Sequence, residues 1–109
     1  MKYTIVVLTD ARQDIEGLSR YLDEKFSVSI RDATLEKLFT QLEWLRSFPK
    51  AGRELNTIIA GVPLTGFYCL RTTKLTILYD IVPMAHKVRI ARVLDNRRDV
   101  VTILKSYLA

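Results

Sequence analysis

The sequence predicts an α+β domain: a strand, two helices, a three-stranded antiparallel meander and a short C-terminal helix, with the helical hairpin packed on one side of a twisted sheet. Three observations carry that prediction. Two successive segments place their leucines at helical spacing, so each has one apolar stripe to bury. Three β-rich runs follow, joined by connections too short for parallel crossovers, which implies an antiparallel meander. The chain has 109 residues, enough for one hydrophobic core and too few for a second, so residues 1–109 read as a single domain.

Tyr3 to Leu8 is β-branched and apolar on both faces, the pattern of a short strand buried on both sides. Thr9 and Asp10 then offer an N-cap, and Asp10 followed by Gln13 resembles a capping box. Ala11, Ile15, Leu18, Leu22 and Phe26 form one stripe of an amphipathic helix. A second helix begins near Ser29, with Leu35, Leu38, Leu42 and Leu45 as its stripe, widened by Phe39 and Trp44. Pro49 disfavours helical geometry at Phe48 and ends the helix there. The short break from Phe26 to Ser29 makes the pair a helical hairpin.

Lys50 to Pro63 reads mainly as loop, with a short extended piece at Thr57 to Ala60. The three strands are Leu64 to Thr72, Leu75 to Val82, and Lys87 to Leu94 or Asp95. A tight turn at Thr73-Lys74 joins the first two. Pro83 to His86 turns the chain into the third, since proline cannot donate to a central ladder. In the middle strand Leu75, Ile77, Tyr79 and Ile81 share one face, and Thr76, Leu78, Asp80 and Val82 the other. Val100, Val101, Leu104, Tyr107 and Leu108 have helical spacing, with Asp99 as N-cap.

Hydrophobic residues make up 49% and charged residues 27%, the balance of a folded rather than disordered chain. The run from Tyr3 to Leu8 is far shorter than the roughly 20 residues that cross a bilayer, and the N-terminus has no secretory pattern. A cytoplasmic location without membrane association is the expectation. Cys69 is the only cysteine, which excludes an intramolecular disulfide and a multi-cysteine metal site. Between Tyr68 and Leu70 it reads as a buried structural residue. His86, alone in a turn, reads as a surface residue rather than a general base. Tyr79 reads as core, whereas Tyr68 and Tyr107 fit either packing or stacking on bases. No metal or cofactor is expected.

The net charge of +5 is one-sided. Residues 1–70 hold nine Lys/Arg and nine Asp/Glu, while residues 71–109 hold eight against three, so the whole excess lies in the last third. Such a field attracts nucleic acid or an acidic protein segment, or serves only as a solvated face. Arg97 and Arg98, just beyond the last strand, are the leading candidates for contact with a nucleic acid or a nucleic-acid-bound target. Arg71 and Lys74 belong to the same basic third, and Lys50 and Arg53 flank Gly52 where they can join that surface. Arg89 and Arg92 are candidates too. A period of two sends them to opposite faces, with one on a partly apolar face needing a carboxylate such as Asp80.

Four stretches resemble the RelE/ParE superfamily of type II toxins, in the right order. Ala11 to Tyr21 is similar to its first helix and Phe48 to Arg53 to the close of its second. Leu75 to Ile81 is similar to its central strand, and Val88 to Asp99 to its last strand and following signature. The resemblance implies a RelE/ParE-like fold over residues 1–109 and growth-arresting toxicity neutralised by a cognate antitoxin in a hetero-oligomer. RelE-like members cleave messenger RNA on the ribosome with a basic cluster and a tyrosine, whereas ParE-like members poison DNA gyrase. Here Phe67 and Cys69 stand where the RelE branch has lysines, Thr76 where it has an arginine, and Val100 or Val101 where it has the tyrosine. Only Arg97 and Arg98 persist, and an apolar or neutral side chain cannot steady phosphate charge. The resemblance therefore favours a ParE-like gyrase inhibitor with no assigned catalytic residue. The alternatives are a ribosome-dependent endoribonuclease and a non-toxic partner- or DNA-binding module on the same fold.

Overall fold

In the computed structural model the sheet is built on β6 (Leu75–Val82) and β7 (Lys87–Asp95), the two strands with the longest apolar alternation. The structure describes residues 2–55, 58–59, 62–63 and 66–108, without the side chains of 58–59, 62–63 and 108. Around the central pair lie β1 (Thr4–Val7), β2 (Arg53–Leu55) and β5 (Phe67–Arg71), giving the order β1-β7-β6-β5-β2. β5, β6 and β7 form the expected antiparallel meander. β1 adds parallel to β7, pairing Thr4 with Lys87 and Val7 with Ile90, so the sheet is mixed. β1 lies at the edge with Thr4 exposed and the rest half-buried, not buried on both faces as its composition implies. β2 is a further edge strand that the sequence reading places in loop. β3 (Ile58–Ile59) and β4 (Val62–Pro63) form a separate two-stranded piece, and the anticipated extension at 57–60 is described only at Ile58 and Ile59. Leu64 and Thr65, the expected start of β5, lie outside the described residues.

α1 (Thr9–Lys25) and α2 (Val28–Ser47) form the hairpin. Their stripes bury Ala11, Leu38, Leu42 and Leu45 against Leu75, Ile77, Tyr79, Val88, Ile90 and Val93, and Leu22 is buried as well. Phe39 and Trp44 do not widen that stripe; both are about half exposed, and Trp44 packs on Phe48 instead. Phe26 is likewise half exposed and follows α1 rather than extending its core face. The expected capping box does not form, because Leu8 is the N-cap and no side chain caps α1. Leu8 is still part of the ladder, its N–H donating to the Ile90 carbonyl at 3.0 Å, so helix follows strand without a turn. α2 starts one residue earlier than its spacing predicts, since Ser27 accepts from the Ile30 N–H. α3 (Val100–Leu108) has the expected Asp99 cap, which accepts from the Thr102 N–H at 3.2 Å. Leu104 packs with Leu78, Ala91 and Leu94 on the sheet face opposite the hairpin, supported by Val100, Ile103 and Tyr107. Val101 is exposed, so Ile103 takes the place its spacing assigns to Val101.

One irregularity redirects the basic strand. The β6–β7 register passes from Tyr79↔Ile90 to Leu78↔Arg92, leaving Ala91 as the extra residue of a bulge. Alternation is therefore interrupted between Ile90 and Arg92. Arg89 faces Asp80 and Arg92 faces Leu78, and these partners share one face, so the two arginines do not alternate as a regular strand requires.

Candidate functional site at the basic end of the sheet

The β5–β6 hairpin and the β7–α3 turn meet at one end of the sheet, held by Asn96. Its N–H donates to the Lys74 carbonyl and its Nδ2 to the Thr72 carbonyl, both at 2.8 Å, while its Oδ1 accepts from buried Thr76 Oγ1. This staple brings Arg71, Lys74, Arg97 and Arg98 to the same end. Asn96 was not singled out by sequence reasoning. Its signal was the Asp95-Asn96 pair, residues that favour turns by bonding nearby backbone.

The two adjacent arginines differ in role. Arg97 is committed internally: its Nε donates to both Asp95 carboxylate oxygens, and its guanidinium lies 4.8 Å from the Tyr21 ring centroid and 5.6 Å from that of Phe26. It ties the turn to the tip of the helical hairpin. Hydrogen bonds from Arg97 hold the Asp95 carboxyl below its ordinary value of 3.8. A depressed folded pKa adds stability that is present above 3.8 and lost as pH falls below it. Asp95→Asn should therefore flatten the acid limb of a stability-versus-pH curve below about pH 4; an unchanged limb would count against the Arg97 clamp. Arg98 is exposed and, among the described residues, makes no ion pair. Lys74 and Arg71 are exposed in the same way.

The remaining candidates divide by position. Arg53 and Lys50 are exposed at the far β2 edge, Arg53 pairing across from Cys69. Arg89 lies toward the opposite end of β7 and is paired with Asp80, its Nε donating at 2.8 Å. Arg92 is held by Asp14 of α1 rather than Asp80, through two hydrogen bonds of 2.7 and 2.8 Å. Asp14 also accepts from the Val93 N–H at 3.0 Å, closing the β7 edge beyond the end of β1. Arg89 and Arg92 are thus engaged, and at the Asn96 end of the sheet Arg98, Lys74 and Arg71 are exposed cations without an ion pair among the described residues.

The residues that the resemblance sets against RelE-type catalytic positions are Phe67, Cys69, Thr76 and Val100 or Val101, none of them a cation. Thr76 is buried and bonded to Asn96, and Phe67 packs in the α3 cluster. Burial pushes the Cys69 thiol up from 9.0, partly offset by Arg71, so it stays protonated. Burial likewise raises Tyr79, whose hydroxyl accepts from the Gly52 N–H at 2.9 Å, so it stays a neutral phenol. Val100 is half-buried and Val101 exposed. His86 packs edge-on against Tyr3 at 5.2 Å, far from the basic end. Among the described residues no group of three or more His, Cys, Asp or Glu comes together, and no helix is long and apolar enough to cross a membrane.

Two recesses border the basic end. A groove runs between α2 and the β5–β6 hairpin as adjoining hollows of about 430 and 660 Å³ that share Ile30, Thr34, Thr73, Lys74 and Leu75. Apolar Leu18, Leu22, Leu38 and Ile77 line it together with Lys37, Lys74 and Arg97 and the carboxylates Glu36 and Asp95. A further cleft of about 450 Å³ lies between α1 and the β7–α3 turn, over Gly17 and beside Arg98, and meets the first hollow at Leu18, Asp95 and Arg97. A Cβ at Gly17 would meet nothing within 4 Å. Gly17→Ala should raise stability by about 0.5–1 kcal/mol through helix propensity, read by urea denaturation; destabilisation would contradict the open space.

The layering and strand order define a RelE/ParE-type toxin fold. The toxin–antitoxin complex RelBE2 from Mycobacterium tuberculosis contains a chain 26% identical to this one, with a TM-score of 0.62 over 88% of this chain and 100% of the other. The chromosomal ParDE system of P. aeruginosa gives a TM-score of 0.67 at 9% identity, over 86% and 96%. A mutant of the E. coli toxin RelE in the free state gives 0.57 at 17% identity, over 99% and 97%. No curated protein matches the sequence. The family described as ParE toxin of type II toxin-antitoxin system, parDE, matches residues 5–100, and the chain belongs to that family.

Proposed function

We propose that this toxin inhibits DNA gyrase through its basic end and is neutralised by a cognate antitoxin. The observation that carries the reading is the fate of Thr76: it is buried beneath Asn96 where a cleaving relative would need an exposed cation. With Phe67 in an apolar cluster as well, several fixed positive charges cannot converge on a scissile phosphate there. What remains is a binding surface made by Arg98, Lys74 and Arg71. The α2 groove suits an amphipathic antitoxin segment that folds on docking, its apolar face on Ile30 and Leu75 and its acidic groups near Lys37 and Lys74. A second reading, ribosome-dependent message cleavage, rests on the resemblance to the RelE branch, and a chain of the RelBE2 toxin–antitoxin complex is 26% identical to this one.

Induction in a growing bacterium should arrest growth, and co-expression of the adjacent antitoxin gene should restore it. The double variant Lys74→Glu/Arg98→Glu should lose the arrest while remaining folded. Arrest that survives both charge reversals would sink the basic-end assignment.

A further inference from the structure

We propose that the cleft between α1 and the β7–α3 turn is a second docking site, receiving an acidic peptide segment of the antitoxin. The segment's backbone would cross Gly17 and one of its carboxylates would pair with Arg98. This proposal rests on the toxin–antitoxin reading above.

Three features point to an occupant from outside the chain. The first is Gly17 itself. Glycine in the middle of α1 weakens the helix, and nothing in this chain requires it: its φ is not positive and no atom lies within 4 Å of the missing Cβ. The place left bare is the floor of the cleft, where another backbone can approach the helix closely. The second is the charge balance. Asp14 is neutralised by Arg92 and Asp95 by Arg97, so both carboxylates at the cleft are satisfied. Arg98 has no such partner among the described residues and leaves the cleft net positive. The third is the lining, which places apolar Leu18 and Val93 next to the exposed amide of Gln13. Such a surface accepts an apolar side chain and a peptide group beside the ion pair.

The site has a consequence for neutralisation. Arg98 faces this cleft and belongs to the surface proposed to contact the target, so an antitoxin carboxylate on Arg98 would occlude that surface directly. Affinity of the purified chain for its antitoxin, measured by titration calorimetry, tests the proposal. Gly17→Trp fills the cleft from a half-buried helical position whose Cβ direction is open, and should leave the melting temperature unchanged or higher. It should weaken antitoxin binding at least tenfold, as should Arg98→Glu. Lys87→Glu makes the same charge change at the far end of β7 and should alter affinity less than threefold. A folded Gly17→Trp chain that binds within threefold of wild type overturns the proposal. A wild-type chain that binds no antitoxin overturns the pairing itself, and the cleft with it.

Discussion

Asp14→Ala is expected to destabilise the protein by about 3 kcal/mol, a large share of a domain's typical total of about 5–15 kcal/mol. The Asp14 side chain is 9% exposed and that of Arg92 16%, so deleting the carboxylate strands a mostly buried guanidinium. It also removes the acceptor for the Val93 N–H at the open edge of β7. The melting temperature should fall by roughly 10 °C or more. Removing both charges together, as Asp14→Leu/Arg92→Leu, should recover most of the loss, because a buried pair exchanged for apolar groups is often close to neutral. Chemical denaturation of the two single variants and the double variant measures this. A loss below 1 kcal/mol for Asp14→Ala would mean that the pair is dispensable.

Gly52→Ala is the second large effect, at about 2–3 kcal/mol. A Cβ there would lie 2.6 Å from the Tyr79 hydroxyl and 3.0 Å from the Cys69 carbonyl oxygen. Tyr79 is fully buried and stacked on Tyr68 at 5.5 Å, so the ring cannot swing aside. The strain falls where β2 joins β5, and edge pairing at Arg53 should loosen first. Tyr79→Phe removes the hydroxyl and leaves the Gly52 N–H without its acceptor, at about 1–3 kcal/mol. In the combined Gly52→Ala/Tyr79→Phe variant the closest clash is gone, so the two losses should sum to more than the double variant shows. Strict additivity would contradict the contact.

The elements that depend on local pattern were legible in the sequence. The middle strand, both helical stripes and the Asp99 cap each rest on neighbours a few residues away. The features that escaped are long-range or unmarked. β2 is three residues with two charges and has no alternation to reveal it; it exists because β5 offers an edge. β1 pairs with a strand more than eighty residues on, and no local signal carries that. The Ala91 bulge has no glycine or proline to announce it, yet it overturns the facing assigned to Arg92. Asp14 as the partner of Arg92 follows only once α1 lies along β7.

The candidate surface was half legible. Charge asymmetry pointed to the end of the sheet where the adjacent pair Arg97 and Arg98 lies. It could not separate them, because the difference lies in Asp95, Tyr21 and Phe26, which occupy one arginine and leave the other free.

The proposed gyrase inhibition requires a basic end that binds without cleaving. The direct measurement is a gyrase supercoiling assay with purified wild-type protein, run beside a translation reaction scored for cuts in the message. Dose-dependent inhibition of supercoiling with intact message is the predicted result, with the inhibition lost in Lys74→Glu/Arg98→Glu. Unimpaired supercoiling together with codon-positioned cuts would contradict it.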